Sequence, residues 1–212
     1  MTADHEDLTV SEAEFTTSGS IYTIGHSNHS LDTFINLLKS YQMEVLVDTR
    51  SSPFSRYSPH FNRDSIKAAT HGAGIKYGFF GKHLGGRPDD EDYYDEEGRV
   101  VYSEVAKSFL FNDGIERLME GIQRFRTAIF CSEENPSICH RRLLVGRVLF
   151  EQGVAVYHIR GNGLVQTEEE LRRQEELEKN NQRAFFEDEE VTEWKSIQSV
   201  LHKVRPRTFS GD

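Results

Sequence analysis

The sequence predicts an α/β fold, a three-layer αβα arrangement in which helices cover both faces of a mostly parallel sheet of about five strands. Short apolar, β-branched runs alternate along the chain with segments whose apolar residues recur at helical spacing. The runs show little polar alternation, which is typical of strands covered on both faces. Because strands and helices alternate, we expect parallel strands joined by helical crossovers.

The strands are predicted from the apolar runs and from the turn residues that bound them. The first run leads into Gly25, the second ends at Thr49, and the third follows Gly72 and Gly74. The expected strands are 20–25, 44–49, 75–80, 127–131 and 154–159.

The helices are predicted from apolar spacing and from candidate caps, which are short polar side chains that accept from the first free amides. An Asn-Asp-Gly sequence at 112–114 is typical of a turn, so we expect it to interrupt the third helical segment. The expected helices start after Ser30 or Asp32, at Asn62 or Asp64, near Val101, at Ser137 and at 167, and a last one is formed by apolar residues after 184.

The length of 212 residues favours a single domain with charged extensions. We divide the chain into an acidic leader (1–18), an α/β domain (19–165) with an acidic insert (88–98), and a charged helical extension (166–212). No apolar run approaches the roughly 18 residues of a membrane helix, and the N-terminus lacks the pattern of a signal peptide. The expected location is therefore cytoplasmic, where the two cysteines stay reduced; a Cys131–Cys139 disulfide is the alternative.

The charge is distributed unevenly along the chain. The formal net charge is -10, but the excess acid lies in the leader, the insert and the C-terminal extension. The rest of the chain holds more Lys and Arg than Asp and Glu. A basic domain of this kind can attract anions, or its acidic appendages can simply keep it dissolved.

Reactive side chains follow four of the expected strands. In an open α/β sheet the carboxyl ends of the strands form the crevice in which ligands bind. We therefore expect one composite polar site at this edge of the sheet. Its residues follow the first strand (His26, Ser27), the second (Asp48, Arg50, Ser51), the fourth (Cys131, Glu133) and the fifth (His158, expected to be buried).

The segment between the fourth strand and the next helix combines two thiols, a carboxylate and an imidazole. Cys139 is expected in the first turn of that helix, where the helix dipole and Arg141 would lower the pKa of its thiol. With His140 as the neighbouring base, Cys139 is the first candidate nucleophile and Cys131 the second. Glu133 would orient the base. Alternatively, Cys131 is a core residue and Cys139 lines an anion site.

A metal site is a further alternative for the same side chains. Zinc accepts thiolate, imidazole and carboxylate donors, which Cys131, Cys139, His140 and Glu133 offer. The Cys-x7-Cys-His spacing matches none of the short zinc-knuckle patterns, so the first expectation is that no metal or other cofactor is bound.

The loop after the second strand is rich in arginine and serine, which bind phosphate or carboxylate groups. Arg50 and Arg56 offer bidentate donors, and Ser51 and Ser55 offer hydroxyl groups. Asp48 would hold Arg50 in place or accept a proton.

Other segments complete the candidate site. His26 is a candidate general acid or base, or else a hydrogen-bonded histidine at a strand end. Gly85 and Gly86 would let a ligand approach the backbone, and Ser27 and Arg141 would bind it. The sequence has no GxGxxG, Walker or CX5R motif, which argues against the commonest nucleotide, ATPase and phosphatase sites.

Taken in order, these motifs resemble the Domain of Unknown Function 488 family over about 20–165. Thr49 stands where we expect valine in the family. The family has no assigned activity, so the resemblance implies an α/β domain and a shared site but no reaction. The resemblance rests on Thr-Ile-Gly-His-Ser (23–27), Asp-Thr-Arg-Ser (48–51) with Pro53, Ser55, Arg56, Pro59 and Phe61, Leu-Gly-Gly (84–86), Cys-x-Glu (131–133), Cys-His-Arg (139–141) and His-Ile (158–159).

Two classes of function remain open beside the metal-binding alternative. The first is an enzyme, a Cys/His-dependent hydrolase or transferase acting on a phosphate-bearing substrate such as a nucleotide or nucleic acid. Arg50, Arg56 and Arg141 would clamp the anion while His26 or His140 moves protons. The second is a non-catalytic module that binds an anion or nucleic acid through the same arginines. The thiols, imidazoles and carboxylates beside them favour the enzyme, and no membrane partner is expected.

Overall fold

The computed structural model of the protein describes residues 19–27, 29–183 and 193–200. Within these residues the strand order is β3-β2-β4-β1-β5-β6. β1 to β5 are parallel, and β6 pairs antiparallel with β5, so the expected α/β sheet is confirmed. The strands are β1 (Ser20–Gly25), β2 (Val45–Asp48), β3 (Lys76–Phe79), β4 (Thr127–Cys131), β5 (Ala155–Ile159) and β6 (Val165–Thr167).

Helices follow the strands as the apolar spacing predicts. Ser30 caps the first helix, and its side chain accepts from Thr33 N at 3.1 Å. A π-helical segment at Arg141–Gly146 continues directly into α6. The helices are α1 (Leu31–Ser40), α2 (Arg63–Gly72), α3 (Gly81–Leu84), α4 (Tyr102–Val105), α5 (Phe109–Ile122), α6 (Arg147–Glu151) and α7 (Glu168–Arg183).

Two apolar cores lie on opposite faces of the sheet. On one face α1 and α2 bury Phe34, Leu38 and Ile66 against alternate residues of β1, β2 and β4. On the other face α5 contributes Ile115 and Leu118 to a core that α4 and α6 complete. Each fully buried side chain of this size stabilises the fold by about 1.5–3 kcal/mol. The three-layer arrangement is therefore the one expected, and within the described residues no helix is long and apolar enough to cross a bilayer.

The expected break at 112–114 is wrong, because α5 continues through it. The Asn112 side chain donates to the carbonyls of Ala106 and Ser108 instead of forming a turn. Gly114 is buried, and a Cβ there would lie 2.7 Å from the His83 side chain. The glycine therefore allows α3 to pack closely against α5.

The expected cap at Ser137 is also wrong. Asn135 is the capping residue: its side chain accepts from Ser137 N at 3.0 Å and starts a 3-10 turn at Pro136–Ile138. Cys139 therefore lies before the helix, and its carbonyl accepts from the amides of Arg142 and Leu143.

The other differences are at the edges of the domain. β6 was not expected from the sequence, and the acidic insert forms a short 3-10 turn at Glu91–Tyr93. Residues 193–200 contain no helix; Trp194 Nε1 instead donates to Leu143 O at 2.6 Å. The predictions for 1–18, 184–192 and 201–212 lie outside the described residues.

A buried network ties α7 to the sheet. Glu168 accepts from His158 Nε2 and Arg142 Nε, both at 2.8 Å, and from Arg172 Nε at 2.7 Å. On the other side of its ring, His158 Nδ1 lies 2.8 Å from Thr23 Oγ1, which completes the burial expected for this histidine. Burial raises the pKa of Glu168, but the hydrogen bonds from His158, Arg142 and Arg172 outweigh it and lower the pKa to about 2.

Replacing Glu168 by glutamine should lower the free energy of unfolding at pH 7 by about 3 kcal/mol, because the amide carries no charge to pair with Arg142 and keeps only one of the two acceptor oxygens. The folded pKa of about 2 lies below the ordinary value of 4.5. This stabilisation is therefore complete above about pH 4.5 and is lost as the pH falls towards 2. Urea unfolding at several pH values measures both effects.

The matched control is Glu169→Gln, since Glu169 is the exposed neighbour on the same helix. A surface change of this kind should alter stability by no more than about 0.5 kcal/mol. Equal losses in the two variants would contradict the role assigned to the network.

Candidate functional site

The candidate site begins with the turn that follows β4 and passes over the end of β1. His26 N donates to Cys131 O at 3.0 Å, which continues the parallel pairing of β1 and β4 beyond the strands. A Cβ at Gly25 would lie 1.8 Å from Glu133 O. Only glycine permits this close approach, so Gly25 of the Gly-His-Ser sequence is required for the turn to pack against the end of β1.

Arg141 fixes the same turn from inside the protein. Its side chain is fully buried, and it donates to Glu133 O, to Glu134 O at 2.6 Å and to Thr23 Oγ1 at 3.3 Å. These contacts direct its guanidinium at the backbone. Arg141 is thus placed as a positioning residue for the turn and not, as expected, in an anion clamp.

Four side chains meet beside this turn and form what we name the thiol cluster: Cys131, Glu133, Cys139 and His140. Cys131 Sγ donates to Glu133 Oε2 at 3.0 Å, and Cys139 Sγ lies 3.2 Å from the same oxygen. The distance from Cys131 Sγ to His140 Nδ1 is 3.6 Å. The two sulfurs and a ring nitrogen of His140 all lie within 4.8 Å of one another. The candidate catalytic residues around the two cysteines are therefore brought together.

The His140 ring is held from two sides. Its Nε2 donates to Thr49 O at 3.0 Å, which leaves Nδ1 facing the cysteines. A Cβ at Gly86 would lie 2.6 Å from Cγ of His140, so the backbone at 86 packs flat against the ring. Thr49 stands where valine was expected in the family. Its hydroxyl is buried but paired, because Thr49 Oγ1 donates to Phe130 O at 3.0 Å.

The pKa values of the two thiols are shifted in opposite directions. The hydrogen bond with Cys139, together with burial, raises the pKa of Cys131 well above its usual range. Burial also opposes ionisation of Cys139, but the hydrogen bond with Cys131 and the charges of Arg141 and His140 lower its pKa well below the usual range. Burial lowers the pKa of His140, and Cys139 and Glu133 more than offset this, so that the pKa is raised.

A second group, which we name the arginine cluster, contains Asp48, Arg50, His26 and Tyr77. Asp48 is fully buried and accepts from Arg50 Nε at 2.9 Å, from Arg50 Nη2 at 2.7 Å and from Tyr77 OH at 2.7 Å. Arg50 is 5% exposed, and its guanidinium lies over the Phe130 ring at 4.6 Å. Asp48 therefore holds Arg50 in place, which is one of the two roles expected for it.

His26 is neutral in this setting. Its Nδ1 donates to Ser27 O at 3.3 Å, and its Nε2 accepts from Arg50 Nη1 at 3.4 Å. The ring stacks on Phe61 with centroids 4.3 Å apart. Burial, followed by the charge of Arg50, lowers the pKa of His26 to about 4. Both ring nitrogens are thus engaged, which leaves His26 a structural role at the strand end in this geometry.

The two clusters lie on opposite faces of the sheet edge. Alternate residues of a strand point to opposite faces, and Phe130, beneath Arg50, belongs to the core under α1 and α2. Cys131, the next residue, points to the other face, where burial and the nearby Cys139 and Cys131 raise the pKa of Tyr102. The single composite site expected from the sequence is therefore divided, with Thr49 connecting its two parts.

The remaining predicted residues are distributed around these clusters. Ser51 Oγ accepts from Arg87 N at 2.9 Å, and Ser55 Oγ accepts from two amides of its own loop. Arg56 is exposed. A Cβ at Gly85 would lie 2.4 Å from Ser51 Oγ, so this glycine also serves close packing.

Sequence reasoning missed two parts of the site. Tyr77, which donates to Asp48, lies in β3, and nothing in the strand pattern distinguishes it from a packing residue. The carbonyl of Thr49 is a backbone atom, which residue types do not report. The π-helical segment that follows His140 is a feature often found at functional sites, but it has no simple sequence signal.

Fold and site together define an α/β protein with a thiol–imidazole–carboxylate cluster at the carboxyl edge of a parallel sheet. Residues 30–148 match the family described as Domain of unknown function DUF488, which is more than half of the chain. The chain belongs to this family, as the resemblance implied. Comparison with curated proteins and with solved structures yields no match.

Replacing Gly86 by alanine should lower the free energy of unfolding by about 1–3 kcal/mol, because the new methyl group overlaps the His140 ring. Urea unfolding followed by circular dichroism measures the change. Gly121→Ala is the control: Gly121 is helical, has open space around its Cβ position, and should gain about 0.5–1 kcal/mol. Similar changes in both variants would argue against close packing at Gly86.

Proposed function

We propose that this protein is a zinc-dependent enzyme in which Cys131, Cys139 and His140 hold the metal and Glu133 lies at the fourth position. The observation that carries the proposal is the convergence of two sulfurs and one imidazole nitrogen, with a carboxylate oxygen of Glu133 in contact with both sulfurs. With Zn–S of about 2.3 Å and Zn–N of about 2.0 Å, a tetrahedral site places sulfur and nitrogen about 3.6 Å apart. Cys131 Sγ and His140 Nδ1 are 3.6 Å apart.

The charges of the thiol cluster also favour a cation. Two thiols and a carboxylate become three neighbouring anions when they ionise, and such groups repel each other unless a proton or a metal lies between them. Arg141 adds one positive charge nearby and lowers the pKa of Cys139. Zinc binding would release the remaining thiol protons, as thiolate sites generally do.

The surroundings of His140 resemble those of metal-bound histidines. Such histidines donate their other ring N–H to a carboxylate or a backbone carbonyl, which fixes the tautomer. His140 Nε2 donates to Thr49 O, and in the neutral ring Nδ1 would present its lone pair to a metal held beside the cysteines. The packing of Gly86 against the ring limits its rotation.

The position of the cluster supports a catalytic role over a structural one. Catalytic zinc sites have three firm protein ligands and a fourth position that exchanges with water or substrate. Cys131 and Cys139 are only 4% and 1% exposed, whereas Glu133 is an exposed residue at the ligand-binding edge of the sheet. A bound zinc would supply a Lewis acid there, and Glu133 would accept a proton from water or substrate.

Metal analysis of purified protein should find one zinc per chain. Cys131→Ser, Cys139→Ser and His140→Ala should each weaken zinc binding by about 100-fold or more, because each removes a ligand. Elemental analysis and competition with a chromophoric chelator give these values. With Co²⁺ as the probe, each serine variant should lose about half of the thiolate-to-metal absorption, since one of two sulfurs remains.

His71→Ala is the control for the histidine, since His71 is exposed at the end of α2. Circular dichroism shows whether each variant is folded. Unchanged metal content in all three ligand variants would overturn the proposal.

The fourth position should be open to added ligands. Acetohydroxamate should change the visible spectrum of the Co²⁺ protein by displacing Glu133, and Glu133→Ala should strengthen this effect. Glu116→Ala, on the exposed face of α5, should leave the response unchanged. A spectrum that does not respond would indicate a closed structural site, which the catalytic proposal does not allow.

The lowered pKa of Cys139 favours a second candidate, an enzyme in which this thiolate is the nucleophile and His140 the base. This candidate is less favoured because the Cys139 residue is almost completely buried.

The two candidates predict different rates of alkylation of Cys139 by iodoacetamide. A zinc-held Cys139 reacts only after the metal is removed, whereas a metal-free nucleophile reacts rapidly in the protein as purified.

A further inference from the structure

A pocket of about 210 Å³ lies next to the thiol cluster, on the same face of the sheet. Its inner wall includes Val105 and Phe111, which belong to the core on that face. Tyr102 belongs to the same core, and the two cysteines help raise its pKa. The pocket and the cluster are therefore on one side of the sheet edge.

The pocket is joined to His140 by the Gly85–Arg87 backbone. Gly85 and Arg87 line the pocket, while Gly86 between them packs against the His140 ring. Ser51 Oγ accepts from Arg87 N at 2.9 Å and closes this wall, and its own hydroxyl hydrogen remains available to a ligand. The backbone at Gly86 therefore lies between the pocket and the His140 ring.

The mouth of the pocket carries two cations. Lys82 and Arg87 are exposed, and within the described ranges neither forms a salt bridge. His83 is engaged with Asp113 at 3.3 Å, and Asp89 is the acidic residue in the lining. Unpaired cations beside a serine hydroxyl and an apolar wall are suited to an anion with a small organic group attached.

We propose that this pocket binds the phosphate group of the substrate on which the zinc centre acts, with Lys82, Arg87 and Ser51 as its contacts. Pockets for drug-sized ligands have about 300–1,000 Å³, so a volume of about 210 Å³ accommodates a phosphate and an attached sugar but not a whole nucleotide. A phosphate monoester, with its terminal phosphate on these cations, is the substrate class that fits the pocket.

The role of the pocket as a substrate site rests on the proposed zinc centre, whereas phosphate binding itself does not. A phosphate monoester can belong to a small sugar phosphate or to the 5′ end of a nucleic acid. The recognised chemistry is the same in both cases, and the test separates the two sources.

Isothermal titration calorimetry with inorganic phosphate, ribose 5-phosphate and a 5′-phosphorylated hexathymidylate provides the test. Ribose and the unphosphorylated hexathymidylate are the reference ligands. Lys82→Ala and Arg87→Ala should each weaken binding of the phosphorylated probes by about tenfold or more, because each removes a charge-assisted hydrogen bond. Arg124→Ala, which removes an exposed charge at the other end of the sheet, should leave binding unchanged.

Tighter binding of ribose 5-phosphate supports a small substrate, and tighter binding of the phosphorylated oligonucleotide supports a nucleic-acid end. Failure of all three phosphorylated probes to bind, or equal losses in Arg87→Ala and Arg124→Ala, would overturn the phosphate pocket. Cys139→Ser should lose zinc yet retain phosphate binding, so failure of the zinc centre and failure of the pocket give different results.

Discussion

One buried guanidinium holds the turn on which the candidate site is built. Arg141 donates to the carbonyls of Glu133 and Glu134 and to the hydroxyl of Thr23, and no part of it reaches solvent. A buried arginine destabilises a protein unless its donors are paired, and here backbone oxygens pair them. Because the same turn carries Glu133 and begins at Cys131, the geometry of the thiol cluster depends on this contact. The arginine therefore acts by shaping the site.

Much of the fold could be predicted from local pattern. The apolar runs located five strands, and Ser30 caps the first helix as its residue type suggests. Errors arose where a distant contact overrode local preference. Gly114 is of a residue type typical of turns, but here it lies within α5, where the absence of a side chain allows α3 to pack closely. The cap at Asn135 lies two residues before Ser137, and both residue types cap equally well, so the sequence does not distinguish them.

The sequence predicted which residues meet at the candidate site better than it predicted how they are arranged. Asp48 and Arg50 are close in sequence, and their pairing follows from that proximity. Cys131, Glu133 and His140 were also grouped correctly, because a single turn joins them. The division into two clusters could not be foreseen, since the face that each side chain occupies depends on strand register. This division changes the favoured chemistry, because Arg50 lies on the other face from the thiols, while Cys131, Cys139 and His140 remain together.

The hydrogen bonds around His158 connect the C-terminal helix to the turn at the site. They run from Glu168 through His158 and Thr23 to Arg141, each partner fully or almost fully buried. The coupling free energy between the two ends of such a series is reciprocal: stabilising either end stabilises the other by the same amount. Docking of α7 and ordering of the thiol cluster are consequently thermodynamically linked, so that shortening the chain before Glu168 would loosen a cluster formed entirely by earlier residues.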